Sequence, residues 1–284
     1  MNTKLKERLR EYKRSPYSLL MKILVLLSTA FTVGILAFIL IYILIMGVPY
    51  LSLNLFAFKY TSENVSMLPA IITTLFTIVA TLVISIPFGV FSAVYLVEYA
   101  KKGSRAVDVI RLTTETLSGI PSIVYGLFGM LFFVFYLKWS YSFLAGVMTL
   151  SIMILPLIMR TTEEALLSVP DDYRQASFGL GAGKLRTVFK IVLPTAIPGI
   201  LSGVILAIGR VIGETAALIY TMGTVTNVPK GLFSSGRTLA VHMWALSGEG
   251  LHTNEAYATA VVLILMVLII NGMSNFAAKK LGKG

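Results

Sequence analysis

Residues 170–194 read PDDYRQASFGLGAGKLRTVFKIVLP, and this polar, basic stretch stands between two long apolar runs. The proline at its start disfavours a helix through the residue before it, and the two aspartates that follow suit the positive end of a helix. The glycines in the middle can end that helix, because glycine tolerates the left-handed cap. The stretch therefore predicts two short helices, over 173–180 and 184–193, joined by a glycine corner. Pro194 is expected to open the next long helix.

The composition is that of an integral membrane protein. The 284 residues are 56% hydrophobic and 13% charged, whereas a soluble domain carries about 25% charged residues. The formal net charge of +11 indicates basic cytoplasmic flanks in such a chain rather than a nucleic-acid partner. The absence of cysteine excludes thiol chemistry.

Six apolar runs predict an all-α, polytopic fold with six transmembrane helices. The first run is longer than the core of a signal peptide, so it is expected to remain in the protein. A basic arm (1–18) precedes it, a core of five further spans (67–276) follows it, and a short tail (277–284) ends the chain. The third run is interrupted by Gly119 and Pro121. The predicted spans cover residues 19–46, 68–97, 112–137, 142–159, 196–222 and 255–276, with the polar loop at 160–195.

Lysine and arginine are divided unequally between the two sides that these spans define. Nineteen fall on the side of the termini and of the 160–195 loop, four fall on the other side, and Arg210 lies within a span. Because Lys and Arg stay cytoplasmic, both termini and the loop are predicted to face the cytoplasm. The four on the outer side are Lys59, Lys138, Lys230 and Arg237.

The spacing of the loop carries a resemblance to a known family. It is similar to the coupling loop of bacterial type I ABC importer permeases, whose pattern is Glu-Ala-Ala, three residues, Gly, nine residues, Ile, one residue, Leu-Pro. The resemblance implies a coupling helix that docks into a groove of an ATP-hydrolysing subunit. Gln and Ser replace the first Glu and the second Ala of the pattern, so a salt bridge made by that Glu in relatives is not expected here. The matching residues are Gln175, Ala176, Ser177, Gly181, Ile191, Leu193 and Pro194.

The fifth span contains two ionisable residues, Arg210 and Glu214. They are four residues apart, so in a continuous helix they share one face and can form an ion pair. An ionisable group near mid-bilayer costs about 3 kcal/mol on insertion scales, so the pair is expected to face the protein interior or a wet path. Two interpretations follow: a substrate path in which an oxyanion competes for the guanidinium, or an ion pair that only locks the helix in place.

Three segments sharpen the resemblance. Residues 115–128, 155–166 and 209–217 are similar to the corresponding segments of the PstA family of phosphate importer permeases. That family implies a bacterial inner-membrane complex with a sister permease subunit, a dimer of ATPase subunits and an external phosphate-binding protein. It implies ATP use by the partner ATPase, no cofactor held by this chain, and phosphate as the substrate. Sulfate or molybdate is the alternative substrate, because the coupling loop cannot separate these oxyanions.

Other patterns in the sequence do not indicate a nucleotide site, a metal site or an enzyme active site. Residues 231–238 have the length of a phosphate-binding loop, but Arg237 stands where lysine belongs and no strand precedes it. His242 and His252 are expected to be solvent-exposed loop residues rather than metal ligands. Residues 239–246, with Trp244, predict a short interfacial helix. An intramembrane enzyme is set aside, because the predicted spans contain no His and no Asp.

Overall fold

The computed structural model describes residues 16–101 and 103–281, so most of the predicted arm at 1–18 and the end of the tail lie outside the described residues. Within this part the chain is helical and contains no strand, which confirms the all-α prediction. The helices are α1 (Pro16–Gly47), α2 (Leu68–Val94), α3 (Arg105–Ser118), α4 (Ser122–Gly129), α5 (Phe143–Leu167), α6 (Asp171–Gly179), α7 (Lys184–Thr187), α8 (Leu193–Ile212), α9 (Ala216–Thr221), α10 (Leu239–Glu249) and α11 (Thr253–Leu281).

Short 3-10 and π turns extend or join several of these helices. Two 3-10 turns follow α1, and three π turns continue α2, α4 and α7. A π turn accommodates one additional residue in a helix and is frequent at functional sites. The 3-10 turns cover Val48–Tyr50 and Leu53–Phe56, and the π turns cover Tyr95–Tyr99, Met130–Tyr136 and Val188–Val192.

Five of the described helical segments are long and apolar enough to cross a membrane, and a sixth is a broken pair. The pair is α3 followed by α4 with its π turn, bent by 100° at the break. The prediction of six spans therefore agrees with the structure when the broken pair counts as one span. The five unbroken segments are Tyr17–Tyr50, Leu68–Tyr99, Phe143–Leu167, Lys184–Ile212 and Thr253–Ala278.

The third span is interrupted at Gly119 and Pro121, as the sequence predicts, but it begins at Arg105 rather than at residue 112. Its first half begins at Arg105 and ends at Ser118, and the chain then turns sharply before Ser122. Pro121 takes an extended conformation (φ −58°, ψ 141°), and the missing N–H of proline prevents the two halves from joining as one helix. The hydroxyl of Tyr125 donates a hydrogen bond to the carbonyl of Leu117 (2.8 Å) across this bend.

The fifth span also differs from the prediction, at both of its ends. It is helical without interruption from Lys184 to Ile212, so Pro194 does not separate two helices. A π turn at Val188–Val192 directly precedes α8, where the ring of Pro194 would otherwise crowd the preceding turn. The helix predicted over 196–222 is interrupted, because α8 ends at Ile212 and a separate short helix, α9, begins at Ala216.

Helix α5 lies at the centre of the bundle, between α2 and α8. Glycine allows both α2 and α8 to pack closely against α5. A Cβ on Gly89 of α2 would lie 2.7 Å from Ile158, and a Cβ on Gly199 of α8 would lie 2.6 Å from Ala165. Small residues at such positions let membrane helices pack closely. Buried apolar residues of α2, α5, α8 and α9 form the largest cluster around this contact.

Helix α1 stands apart from this bundle. It contacts α11 and the 3-10 turn that follows it, and its remaining apolar side chains are exposed. Gly47 at its end is buried, and a Cβ there would lie 2.6 Å from Val261 of α11. The exposed face of α1 is apolar along its length, as contact with lipid requires.

Candidate functional site

The polar loop folds into the helix, glycine corner and helix that its sequence predicts. Helix α6 ends at Gly179, and Gly181 takes a left-handed conformation with a φ of +81°. The N–H of Ala182 donates to the carbonyl of Ser177 (3.1 Å), which closes the corner. The hydroxyls of Ser177 and Thr187 hydrogen-bond at 2.8 Å in a buried position, so α6 and α7 are fastened together. Ser177 is one of the two departures from the family pattern, and Thr187 is its partner.

The outer face of this corner is an exposed groove with apolar walls. Tyr173, Ala176, Leu180, Gly181 and Ile191 contribute to its lining. Leu180 is 89% exposed and Tyr173 is 51% exposed. Exposed apolar residues grouped around a concave surface mark a protein-docking site more often than a free surface.

The remaining residues of the motif have different positions. Gln175 is exposed on α6 and does not line the groove. Leu193 is half-buried and Pro194 is exposed, and both lie in the first turn of α8. The structure therefore brings Ala176, Gly181 and Ile191 together at the groove and leaves Leu193 and Pro194 within the span.

Arg174 was not predicted as a functional residue, and it joins this corner to the rest of the protein. It donates to the carboxylate of Glu98 (2.7 and 3.0 Å) and to the carbonyls of Leu166 (3.0 Å) and Val169 (2.8 Å). The sequence signal that could have revealed the pair is Glu98 itself, an acidic residue at the end of an apolar run.

The predicted ion pair between Arg210 and Glu214 is not formed. Helix α8 ends between the two residues, and no salt bridge within 4 Å joins them among the described residues. The carboxylate of Glu214 instead accepts a hydrogen bond from the N–H of Ala217 (3.0 Å), in the first turn of α9. The prediction failed because it assumed a continuous helix, which the break at Gly213 removes.

The break in the fifth span lies against the broken third span. A Cβ on Gly126 of α4 would lie 2.8 Å from the Cα of Ala217 and 3.2 Å from the carbonyl oxygen of Ala216. Arg210 is half-buried in the last turn of α8, beside this contact in the chain, and makes no hydrogen bond or ion pair with the described residues. Spans that are broken inside a membrane are tolerated where they line a cavity or are enclosed by protein.

A group of charged residues joins α3 to α5 next to the loop. Arg111 pairs with Glu163 (2.7 Å), and Arg160 pairs with Glu164 (3.1 Å) and lies 3.9 Å from Glu115. The Arg160 side chain is 54% exposed, so its pairs each contribute little to stability. Two of these contacts, Arg111 with Glu163 and Arg160 with Glu115, lie between the first half of the broken span and α5.

The opposite end of the bundle contains a buried polar group that was not predicted. Arg237 is 4% exposed, and its guanidinium lies 4.9 Å from the ring centroid of Tyr60. His242 is fully buried on α10, which contradicts its expected exposure. Burial and the nearby Arg237 lower the pKa of His242 to about 3, so its imidazole is neutral at physiological pH. Helix α10 forms over the predicted residues with Trp244 exposed, but its first turn packs into the core.

Several membrane-crossing helices, two interrupted spans in contact and an exposed groove on a polar loop are features of a membrane transport subunit. The chain belongs to the family described as "Binding-protein-dependent transport system inner membrane component", which matches residues 85–283. It is therefore a multi-pass inner-membrane transport subunit rather than an enzyme. As in this family generally, it works in association with ATPase and substrate-binding partners.

Comparisons of the whole chain agree with this family. A probable ABC transporter permease protein, YqgI of Bacillus subtilis, is 36% identical over 279 residues, which is 90% of this chain and 92% of that protein. A protein named as phosphate transport system permease PstA of Pasteurella multocida is 34% identical over 265 residues, covering 89% and 91%. PstA 2 of Mycobacterium bovis is 37% identical over 205 residues, covering 71% and 67%.

Solved structures show the same fold at low sequence identity. A chain of a bacterial ABC transporter for the polysaccharide alginate superposes with a TM-score of 0.68 at 13% identity, covering 95% of this chain and 99% of that chain. A chain of the MetNI methionine ABC transporter in an inward-facing conformation gives a TM-score of 0.57 at 20% identity, covering 76% and 94%. The fold is thus that of an ABC importer permease.

Replacing Glu214 tests whether its carboxylate serves as a backbone acceptor. Glu214→Ala should lower the thermal stability of the purified protein, because the N–H of Ala217 loses its acceptor; loss of such a cap costs about 1 kcal/mol. Glu214→Gln keeps an acceptor oxygen and should lose less. The measurement is the unfolding midpoint in detergent. Equal losses in both variants would show that the charge, rather than the hydrogen bond, is what stabilises the break.

Proposed function

We propose that this chain forms, with a sister permease subunit, the membrane path of an ATP-driven importer for inorganic phosphate. Two lines of support point to phosphate: the segments at 115–128, 155–166 and 209–217 that resemble phosphate permeases, and the relatives that carry phosphate transport in their names. The observation that carries the proposal is Arg210, a half-buried guanidinium in a membrane span with no ion pair among the described residues.

Arg210 has the chemistry that an oxyanion path needs. A guanidinium is always charged and presents a planar set of donors that fits two oxygens of a tetrahedral anion at once. Because Glu214 is engaged with the backbone of α9, an arriving anion would not have to displace a carboxylate from Arg210. This geometry favours the substrate-path interpretation over an ion pair that only locks the helix.

The coupling surface supports the second half of the proposal. The groove around Gly181 is the surface on which an ATPase subunit would dock, and an ATPase dimer would engage this chain and its sister together. ATP hydrolysis belongs to that partner, and this chain holds no cofactor of its own. Phosphate would reach the outer side of the path from an external phosphate-binding protein, and lipid would cover the exposed apolar helices.

The charge distribution supports an orientation with both termini and the coupling loop in the cytoplasm. The nineteen basic residues on that side include Arg174, Lys184, Arg186 and Lys190 of the loop. ATP is available to a partner only on this side, so the positive-inside rule and the docking groove require the same orientation.

Arg210→Gln should abolish phosphate uptake by the reconstituted complex, with a loss of about a hundredfold or more, because the guanidinium that would bind the anion is removed. Arg210→Lys keeps the charge without the planar donors and should retain partial uptake. Uptake is measured with radiolabelled phosphate, and sulfate and molybdate are tested as competitors.

Arg105→Gln, an exposed residue at the start of α3, is the control for these variants. Full uptake by Arg210→Gln would show that Arg210 is structural. Inhibition of labelled phosphate uptake by sulfate or molybdate at equal concentration would favour the alternative oxyanion.

Gly181 provides a test of the docking surface. Gly181→Val should weaken co-purification of the ATPase and lower uptake, because a β-branched residue in the left-handed conformation costs about 1–2 kcal/mol and displaces the corner. No described atom of this chain lies within 4 Å of a Cβ at this position, so within the chain the substitution acts through backbone strain. Gly181→Asn, which tolerates this conformation, is the matched control. If valine leaves both binding and uptake unchanged, the corner does not dock the ATPase.

Single cysteines test the orientation, because the chain has none of its own. Lys101→Cys and Lys230→Cys place a thiol at exposed positions on the two predicted sides. In intact cells, a membrane-impermeant maleimide should label position 230 and should reach position 101 only after the membrane is opened. Labelling of both positions in intact cells would contradict the proposed topology.

A further inference from the structure

Arg174 connects three elements of the protein at a single guanidinium. Its Nε and Nη2 donate to one carboxylate oxygen of Glu98, at 3.0 and 2.7 Å. Nη2 also donates to the carbonyl of Leu166 (3.0 Å), and Nη1 donates to the carbonyl of Val169 (2.8 Å) and to Asp171 (3.1 Å). Arg174 itself lies on α6, Glu98 follows α2, and the two carbonyls end α5.

The pair of Arg174 and Glu98 is largely removed from solvent, unlike the pair of Arg160 and Glu164. The side chain of Arg174 is 14% exposed and that of Glu98 is 8% exposed, whereas the Arg160 and Glu164 side chains are 54% and 64% exposed. Breaking a buried, hydrogen-bonded pair by removing one partner costs far more than breaking a surface pair. The contact between Arg174 and Glu98 is therefore persistent where the surface pairs are not.

Glu98 lies at the end of the second span, so a movement of the coupling loop can be passed to that span through this residue. It lies in the π turn Tyr95–Tyr99, which continues α2 without interruption to the end of the second span. Lys184 of α7 makes a second contact with the same turn, with its ammonium 5.1 Å from the ring centroid of Tyr99. Both arms of the coupling loop are thus attached to one turn of one span.

We propose that the pair of Arg174 and Glu98 is the mechanical link by which movement of the coupling helix reaches the second span. The inference rests on the proposed function, in which an ATPase subunit moves the groove around Gly181. Since α2 packs along α5 at the bundle centre, a displacement received at Glu98 passes directly into the helices that surround the path. Arg174 and Glu98 are positioning residues in this role, because neither contacts the transported anion.

The test is a double-mutant cycle in the complete, reconstituted complex with its ATPase. Glu98→Gln and Arg174→Gln should each lower the number of phosphate ions moved per ATP hydrolysed by about tenfold, with the complex still assembled. The variant with both substitutions should be no worse than the more impaired single variant, because both changes break the same link. Arg105→Gln, an exposed arginine at the start of α3, is the matched control.

The ratio of phosphate moved to ATP hydrolysed distinguishes a link from a merely structural contact. A structural contact would reduce the amount of assembled complex and lower both activities together, leaving the ratio at the wild-type value. An unchanged ratio in the single variants, or losses that multiply in the double variant, would overturn the proposal.

A second measurement does not depend on the identity of the substrate. Spin labels at Asp172→Cys on α6 and Phe91→Cys on α2, both exposed positions, report the distance between the two elements. In the otherwise wild-type protein, the distribution of distances between the two labels should be one narrow peak with and without ATP, because the two elements move together. Broadening in both single variants supports the link, and an unchanged distribution overturns it. If the wild-type complex moves no phosphate but its label distance is narrow and broadens in both single variants, the phosphate proposal is refuted and the proposed link is not.

Discussion

The contact between the two broken spans determines much of this structure. Within a membrane, a helix that stops leaves backbone N–H and C=O groups that lipid cannot satisfy. The protein meets this requirement with its own groups: Glu214 accepts from the N–H of Ala217, and Tyr125 donates to the carbonyl of Leu117. Gly126 allows the two breaks to touch, because a side chain there would meet the backbone of Ala217. Arg210 lies beside them in the chain, half-buried and without a carboxylate partner among the described residues.

The coupling loop is under a different physical constraint, because it must stay rigid although it is exposed to water. Its outer surface keeps apolar residues such as Leu180 in solvent, so its shape must be fixed from the inner side. The hydroxyl pair of Ser177 and Thr187 fixes one helix to the next, and Arg174 fixes both to the bundle. Both kinds of contact are buried and hydrogen-bonded, which makes them stronger than the exposed ion pairs around Arg160.

The sequence predicts the elements that depend on local chemistry and misses those that depend on packing. The apolar runs, the break at Pro121 and the corner at Gly181 follow from hydropathy, proline and glycine, and the structure contains all three. The break after Ile212 does not follow from these signals, because Gly213 is often tolerated within a helix; it depends on Glu214 and on contact with α4. The burial of His242 and the pairing of Arg174 with Glu98 involve residues distant in the sequence, so spacing could not reveal them.

The isolation of α1 has a consequence for biosynthesis. This helix leaves the ribosome before its partner α11, which begins about 200 residues later in the chain. During that interval α1 lies in the bilayer without the α11 surface that it contacts in the finished fold. Its 32 residues contain one charged residue, Lys22, near the amino-terminal end, so partitioning into lipid alone can hold it until synthesis is complete. The helix thus acts as an anchor for the nascent polypeptide before it becomes part of the finished assembly.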